Sequence, residues 1–133
     1  ASDNASSLGF ATRSNFTMAS WRDAGWATGL SQFDLILCNP PYVETNAQLQ
    51  SSVHDFEPHQ ALYSGPEGLE DYRILIPQIP ALLAPDGIAI FEIGKGQEQA
   101  VSNLAAFAGI GSQQHKDLAG IVRALSMTTT VSG

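Results

Sequence analysis

The stretch that decides the fold is Phe33-Asp34-Leu35-Ile36-Leu37-Cys38, which runs directly into Asn39-Pro40-Pro41-Tyr42. A short apolar run bounded by turn residues is typical of a strand that is covered on both faces of a parallel sheet. Ile88-Ala-Ile-Phe-Glu-Ile93 is a second run of this kind. Since helical patterns alternate with these runs, the sequence predicts an α/β sheet.

The remaining elements are predicted from periodicity, caps and breakers. Val43 to Gly68 has no period, and a loop of about 25 residues in a compact domain is usually functional. A helical pattern covers Leu69 to Leu83, where Pro77 and Pro80 predict a kink or two short helices. The other predicted elements are a helix end at Asp3–Leu8 capped by Gly9, a strand at Asn15–Ser20, a loop at Trp21–Gln32, a turn at Pro85–Gly87, a helix at Gln97–Phe107, and a terminal strand pair within Ser112–Thr130.

Charge restricts the class of partner. The 133 residues fit one domain or part of one, with a net charge of −7. No Lys or Arg occurs between Arg22 and Arg73, while eight Asp and Glu residues do. Binding to a phosphate backbone needs cations, because counterion release drives it. The sequence therefore argues against a nucleic-acid surface here and favours a basic protein partner.

The chain carries none of the signals that would direct it to a membrane or out of the cell. No apolar run reaches the roughly 18 residues of a membrane span, and the first residues lack the basic and apolar regions of a signal peptide. The single cysteine, Cys38, cannot form an internal disulfide. We therefore expect a reducing compartment, the cytoplasm.

Asn39-Pro40-Pro41-Tyr42 suits the transfer of a group to a planar amide or amine nitrogen. Such a nitrogen is a weak nucleophile because its lone pair is delocalised. The Asn39 side-chain oxygen and the Pro40 carbonyl can accept from its N–H groups, and the two prolines hold both acceptors rigidly. Tyr42 can lie against the flat face of the target group. Preorganised acceptors stabilise the charge that develops on the nitrogen. The plainer interpretation is a proline-rich turn that ends a strand.

Two other groups could suggest chemistry. His54, Asp55, Glu57 and His59 resemble a metal cluster, but nothing completes a tetrahedral or octahedral ligand set, and we expect no metal. Cys38 lies beside the motif without an evident base, so a small buried residue is the better interpretation than a nucleophile.

The motif and the segments that follow it resemble the HemK/PrmC-type release factor glutamine methyltransferases. The resemblance extends over nearly the whole chain. It rests on Asn39–Tyr42, Phe56-Glu57-Pro58, Ala61-Leu62, Gly68-Leu69, Tyr72-Arg73, Glu92-Ile93-Gly94 with Gln97, and Asp117-Leu118-Ala119-Gly120 with Arg123.

The resemblance implies a Rossmann-like methyltransferase sheet with helices on both faces and a terminal antiparallel pair. It implies S-adenosylmethionine as cofactor and N5-methylation of the glutamine in the Gly-Gly-Gln loop of a peptide chain release factor. Asn39, Pro40 and Tyr42 would be catalytic, and these three with Pro41 would bind substrate. Ser20, Trp21 and Asn39 would border the cofactor.

Departures from the family pattern leave alternatives open. The glycine-rich cofactor loop and the first two strands are not found in residues 1–133, so we expect part of a catalytic domain that alone binds cofactor poorly. Ser20 stands where the family has Asp, and Val122 replaces a residue that is commonly acidic or polar. The alternatives are an adenine-directed nucleic-acid amino methyltransferase and a catalytically inactive fragment or scaffold.

Overall fold

The computed structural model describes residues 1–42 and 68–129, and within them a four-stranded sheet is the central element. The strands are β1 (Phe33–Cys38), β2 (Leu83–Glu92), β3 (Gly111–Lys116) and β4 (Val122–Thr128), in the order β1-β2-β4-β3. β1 and β2 are parallel, and β4 is antiparallel to both β2 and β3. The two apolar strands and the terminal pair are therefore confirmed.

The helices are α1 (Ser2–Ser7), α2 (Glu70–Leu75), α3 (Ile79–Leu82) and α4 (Glu98–Phe107), with 3-10 turns at Ala11–Arg13 and Ile76–Gln78. Gly9 follows α1 with φ +75°, as expected for a helix-ending glycine. The 3-10 turn Ile76–Gln78 separates α2 from α3. Pro77 lies in the first turn of this 3-10 segment, and Pro80 lies in the first turn of α3. Proline is tolerated there because its missing N–H has no partner in a first turn.

The hydrophobic core lies between α2–α4 and one face of the sheet. Phe91, Leu125 and Met127 project from β2 and β4 into it and are fully buried, as are Tyr72 and Ile76 of the helical segment. The opposite face carries Leu35, Leu37 and Ile88, which are exposed in the described structure. Helices on this second face stay a prediction, because α2–α4 all join the core on the first.

The predicted turn at Pro85–Gly87 lies inside β2 rather than before it. Phe33 pairs with Leu83, but Leu35 pairs with Ile88. An advance of two residues along β1 therefore corresponds to an advance of five residues along β2. The extra residues form an irregularity that includes Asp86 at φ +63°. The backbone is thus irregular where the turn was predicted, but β2 extends on both sides of these residues.

The predicted strand at Asn15–Ser20 is wrong. These residues follow the 3-10 turn as irregular backbone, and Phe16 and Met18 are exposed. β-forming side chains do not make a strand without a neighbour to pair with, and the described residues provide none here. The predicted loop Val43–Gly68 lies outside the described residues except for Gly68. None of the described helices is long and apolar enough to cross a membrane.

Candidate active site

The Asn39–Tyr42 turn begins where β1 ends. Because β1 and β2 run parallel, their carboxyl ends lie side by side, with Cys38 opposite Phe91. This edge is where open α/β sheets bind ligands. An open recess of about 420 Å³ lies there, lined by Leu37, Cys38, Asn39, Ile90, Glu92, Arg123 and Ala124.

The four residues of the turn differ in accessibility. Asn39 is exposed, Pro41 and Tyr42 are half-buried, and the Pro40 side chain is fully buried. Burial of one proline fixes the backbone from which the Asn39 amide projects toward solvent. The structure thus presents Asn39 at the recess. The acceptor role of the Pro40 carbonyl stays a prediction.

Tyr42 and Tyr72 are both tied to Glu92 at the end of β2. The Tyr42 hydroxyl donates to Glu92 Oε1 over 3.4 Å, and the Tyr72 hydroxyl donates to the Glu92 carbonyl over 2.8 Å. Burial raises the pKa of Tyr42, and the nearby Glu92 carboxylate raises it further. Burial likewise raises the pKa of Tyr72. Both phenols are therefore neutral hydrogen-bond donors at physiological pH, and Glu92 anchors the turn.

Gln97, directly before α4, connects three backbone segments. Its Nε2 donates to the Tyr42 carbonyl over 2.9 Å and to the Gly68 carbonyl over 3.2 Å. Its Oε1 accepts from the Gly94 N–H over 2.9 Å. A primary amide has one acceptor oxygen and two donor hydrogens, so this side chain matches one N–H and two carbonyls.

Glycines at 68 and 94 let these segments approach. A Cβ on Gly94 would lie 2.8 Å from Tyr42 Cδ2 and 3.0 Å from Gln97 Oε1. A Cβ on Gly68 would fall on the Tyr42 carbonyl oxygen, and Gly68 also has φ +68°. The Tyr42 ring therefore rests directly on the backbone of Gly94.

Trp21, which lines a recess beside the turn, is held by a buried carboxylate. Asp71 of α2 is only 1% exposed, and its Oδ1 accepts from Trp21 Nε1 over 2.6 Å. The Arg22 guanidinium, half exposed, lies 2.8 Å from the same oxygen. Together with Ala19, Ser20 and Pro41, these residues line a recess of about 170 Å³. Trp21 is thus fixed beside the turn, while Ser20 is exposed and accepts from the Arg22 N–H.

Two further signals are explained structurally. Burial, with a smaller contribution from Asp71, raises the pKa of the Cys38 thiol to about 11, which disfavours the reactive thiolate. Asp117 accepts from the Ala119 and Ile121 N–H groups and pairs with Arg123 over 3.1 Å. The hydrogen bond from Ile121 contributes most to lowering the pKa of Asp117. This carboxylate therefore holds the turn between β3 and β4.

The sequence interpretation gave no role to Asp71 or Gln97. Asp71 could have been noticed because it stands four residues before Leu75 and eight before Ile79, on the buried side of the helical pattern. Gln97 was named only among the residues that carry the family resemblance, although it stands directly after Gly96 and before a helix start. The candidate metal ligands His54, Asp55, Glu57 and His59 lie outside the described residues. Within the described ranges, no three His, Cys, Asp or Glu residues are grouped to hold a metal.

The fold is an open α/β sheet with its candidate site at the carboxyl ends of β1 and β2. A crystal structure titled methyltransferase from Pyrococcus furiosus shares the fold with a TM-score of 0.57 at 16% identity, over 93% of this chain and 58% of that one. No protein-family model matches the sequence.

Curated relatives identify the family. Release factor glutamine methyltransferases of Rhodospirillum rubrum and Caulobacter vibrioides are 39% and 42% identical over 98% and 82% of this chain. The chain belongs to the release factor glutamine methyltransferase family. It spans about two fifths of the length of these relatives, 40% and 37%.

Proposed function

We propose that the protein methylates the side-chain nitrogen of the glutamine in the Gly-Gly-Gln loop of a peptide chain release factor, with S-adenosylmethionine as methyl donor. The observation that carries the proposal is the exposed Asn39 amide at the carboxyl end of β1, in a turn whose last residue is fixed by Glu92 and Gln97. The similarity to release factor glutamine methyltransferases supports the choice of an amide nitrogen over other acceptors.

Asn39 makes the chemistry possible by accepting from the substrate amide. The substrate amide has two N–H groups, one for Asn39 Oδ1 and one for the Pro40 carbonyl. Bound in this way, it is held with its nitrogen toward the methyl donor. As the nitrogen is alkylated it gains positive charge, and fixed acceptors stabilise that charge more than the ground state. The methylated amide cation then loses its proton readily, so no general base is required. Pro40, Pro41 and Tyr42 hold the amide plane.

The described residues fit one wall of a cofactor pocket. S-adenosylmethionine, when bound, supplies an electrophilic methyl group. Trp21 offers an aromatic surface, and Ser20 and Asn39 offer neutral hydrogen-bonding groups. The recess beside Trp21, at about 170 Å³, is smaller than the 300–1,000 Å³ of typical ligand sites. The prediction that residues 1–133 are part of a catalytic domain is consistent with this partial wall and stays a prediction.

The acidic character supports a protein substrate. The second candidate, methylation of adenine in nucleic acid, uses the same acceptors on a flipped base. It conflicts with the stretch from Arg22 to Arg73, which lacks Lys and Arg while eight acidic residues lie within it. The cytoplasmic location also stays a prediction.

A substrate competition tests the proposal. The intact protein is incubated with labelled S-adenosylmethionine, a release factor, a release factor whose Gly-Gly-Gln glutamine is replaced by alanine, and duplex DNA. We expect label on the unaltered factor alone, located by mass spectrometry on that glutamine. Label on adenine would establish the nucleic-acid alternative, and equal label on both factors would place the methyl elsewhere.

A further inference from the structure

We infer that Gln97 is a positioning residue, which sets the Asn39–Tyr42 turn in its reactive geometry through the Tyr42 carbonyl. The inference rests on the proposed function for the reaction that it assists. Gln97 has no place among the groups that touch the substrate amide. Its side chain instead bonds to Tyr42 and Gly68, which lie 55 and 29 residues from it in sequence.

The orientation of the Gln97 amide is determined by its partners. Two carbonyl oxygens, of Tyr42 and Gly68, face one end, and the Gly94 N–H faces the other. Rotating the amide by half a turn would put oxygen against two oxygens and NH₂ against an N–H. Only the NH₂ group toward the carbonyls satisfies all three contacts.

The contact reaches the motif at both the backbone and the ring of Tyr42. Gln97 holds the Tyr42 carbonyl, and Gly94, which donates to Gln97, lies directly under the Tyr42 ring. Glu92 receives the Tyr42 hydroxyl two residues before Gly94. A shift of Gln97 therefore moves the last residue of the turn, three residues from Asn39. Acceptors that stabilise a transition state lose effectiveness with small displacements.

A charge-sensitive substitution separates positioning from general stability. In Gln97→Glu, one oxygen can still accept from Gly94, but the other faces the Tyr42 and Gly68 carbonyls where NH₂ was. Repulsion raises the pKa of the introduced carboxyl, and its protonated form can again donate to a carbonyl. The substitution is therefore harmful when ionised and partly tolerated when protonated.

The experiment measures methyl transfer to a release factor by the intact protein at several pH values. At about pH 8 we expect kcat of Gln97→Glu to fall about thirtyfold or more, with KM for the cofactor changed less. Between about pH 8 and about pH 6 the ratio to wild type should rise at least about fivefold. Gln97→Met, which cannot donate, should be impaired at every pH without this rise.

Gln99→Glu is the matched control. It adds the same charge two residues later on α4, where Gln99 is exposed and bonds to Asn103 one turn along the same helix. It should keep wild-type activity across the pH range. Any effect of an added negative charge near Lys95 and Glu98 would appear in this control as well. A Gln97→Glu enzyme within about threefold of wild type at about pH 8 would overturn the inference.

Hydrogen exchange gives a readout that does not depend on the reaction. The Gly94 amide should exchange at least about tenfold faster in Gln97→Met than in wild type, because its acceptor is lost. Unchanged exchange would overturn the inference even if activity fell. If wild type does not methylate release factors, the proposed function fails, and the exchange result alone decides the role of Gln97.

Discussion

Two regions flank the Asn39–Tyr42 turn, and each is held together by different chemistry. On one flank, the neutral Gln97 side chain bonds to three backbone groups, and glycines bring those groups within reach. On the other, the buried Asp71 carboxylate accepts a hydrogen bond from Trp21 Nε1 and forms an ion pair with Arg22. The first flank depends on shape, since a carbon added at Gly68 or Gly94 collides with Tyr42. The second depends on charge, since its acceptor is ionic.

The distinction has energetic consequences. A net hydrogen bond between neutral groups contributes about 1 kcal/mol, whereas one to a charged group contributes about 1.5–3 kcal/mol. Steric intrusion into a packed site costs about 1–3 kcal/mol. Substitutions that add atoms should therefore lower stability most at the Gln97 flank. Substitutions that remove hydrogen-bond donors should lower it most at the Asp71 flank.

The largest expected effect is that of Gly68→Ala. The new Cβ would meet the Tyr42 carbonyl oxygen, and the left-handed backbone adds strain. We expect the free energy of unfolding to fall by about 3 kcal/mol, the sum of the two costs. Gly96→Ala is the matched control: Gly96 has φ +84°, and an added Cβ would meet no described atom within 4 Å. It should lose only about 1 kcal/mol in urea unfolding. Equal losses would mean that the close approach of Gly68 to Tyr42 is not maintained in solution.

A smaller difference should separate the two tryptophans. Trp21→Phe removes a donor to the Asp71 carboxylate, while Trp26→Phe removes a donor to the neutral Gln78 amide oxygen over 2.9 Å. Both rings are partly buried against the core, so the loss of volume is matched. We expect unfolding free energies lower by about 2 and about 1 kcal/mol, beyond that shared loss. A larger loss for Trp26→Phe than for Trp21→Phe in denaturant titrations would show that the bond from Trp21 to Asp71 is not the stronger one.

Local signals predicted most of the fold. The apolar runs predicted β1 and β2, the prolines predicted the break between α2 and α3, and the strand pattern within Ser112–Thr130 predicted the terminal hairpin. Each of these signals lies within the element that it specifies. Asn15–Ser20 failed because a strand also needs a partner, and composition does not reveal whether one is adjacent.

The site was predictable only in part for a related reason. The Asn39–Tyr42 turn, which we propose to be reactive, is recognisable as four consecutive residues. Its supports were not, because Trp21 meets Asp71 across 50 positions and Gln97 meets Tyr42 across 55. Such contacts depend on how α2 and α4 pack on the sheet. The need for glycine at 94 is equally hidden, since it arises from the Tyr42 ring and not from a positive φ.

Whether Asn39 holds the substrate amide is tested by the rate of methyl transfer to a release factor, measured with Asn39→Ala in the intact protein. Asn103→Ala, which replaces an exposed asparagine of α4, is the control and should match wild type. Removing the Asn39 acceptor should lower the single-turnover rate by about a hundredfold or more, on the order of 3 kcal/mol, while cofactor affinity changes less. A rate within about threefold of wild type would contradict the account, because the substrate amide would then be held without Asn39.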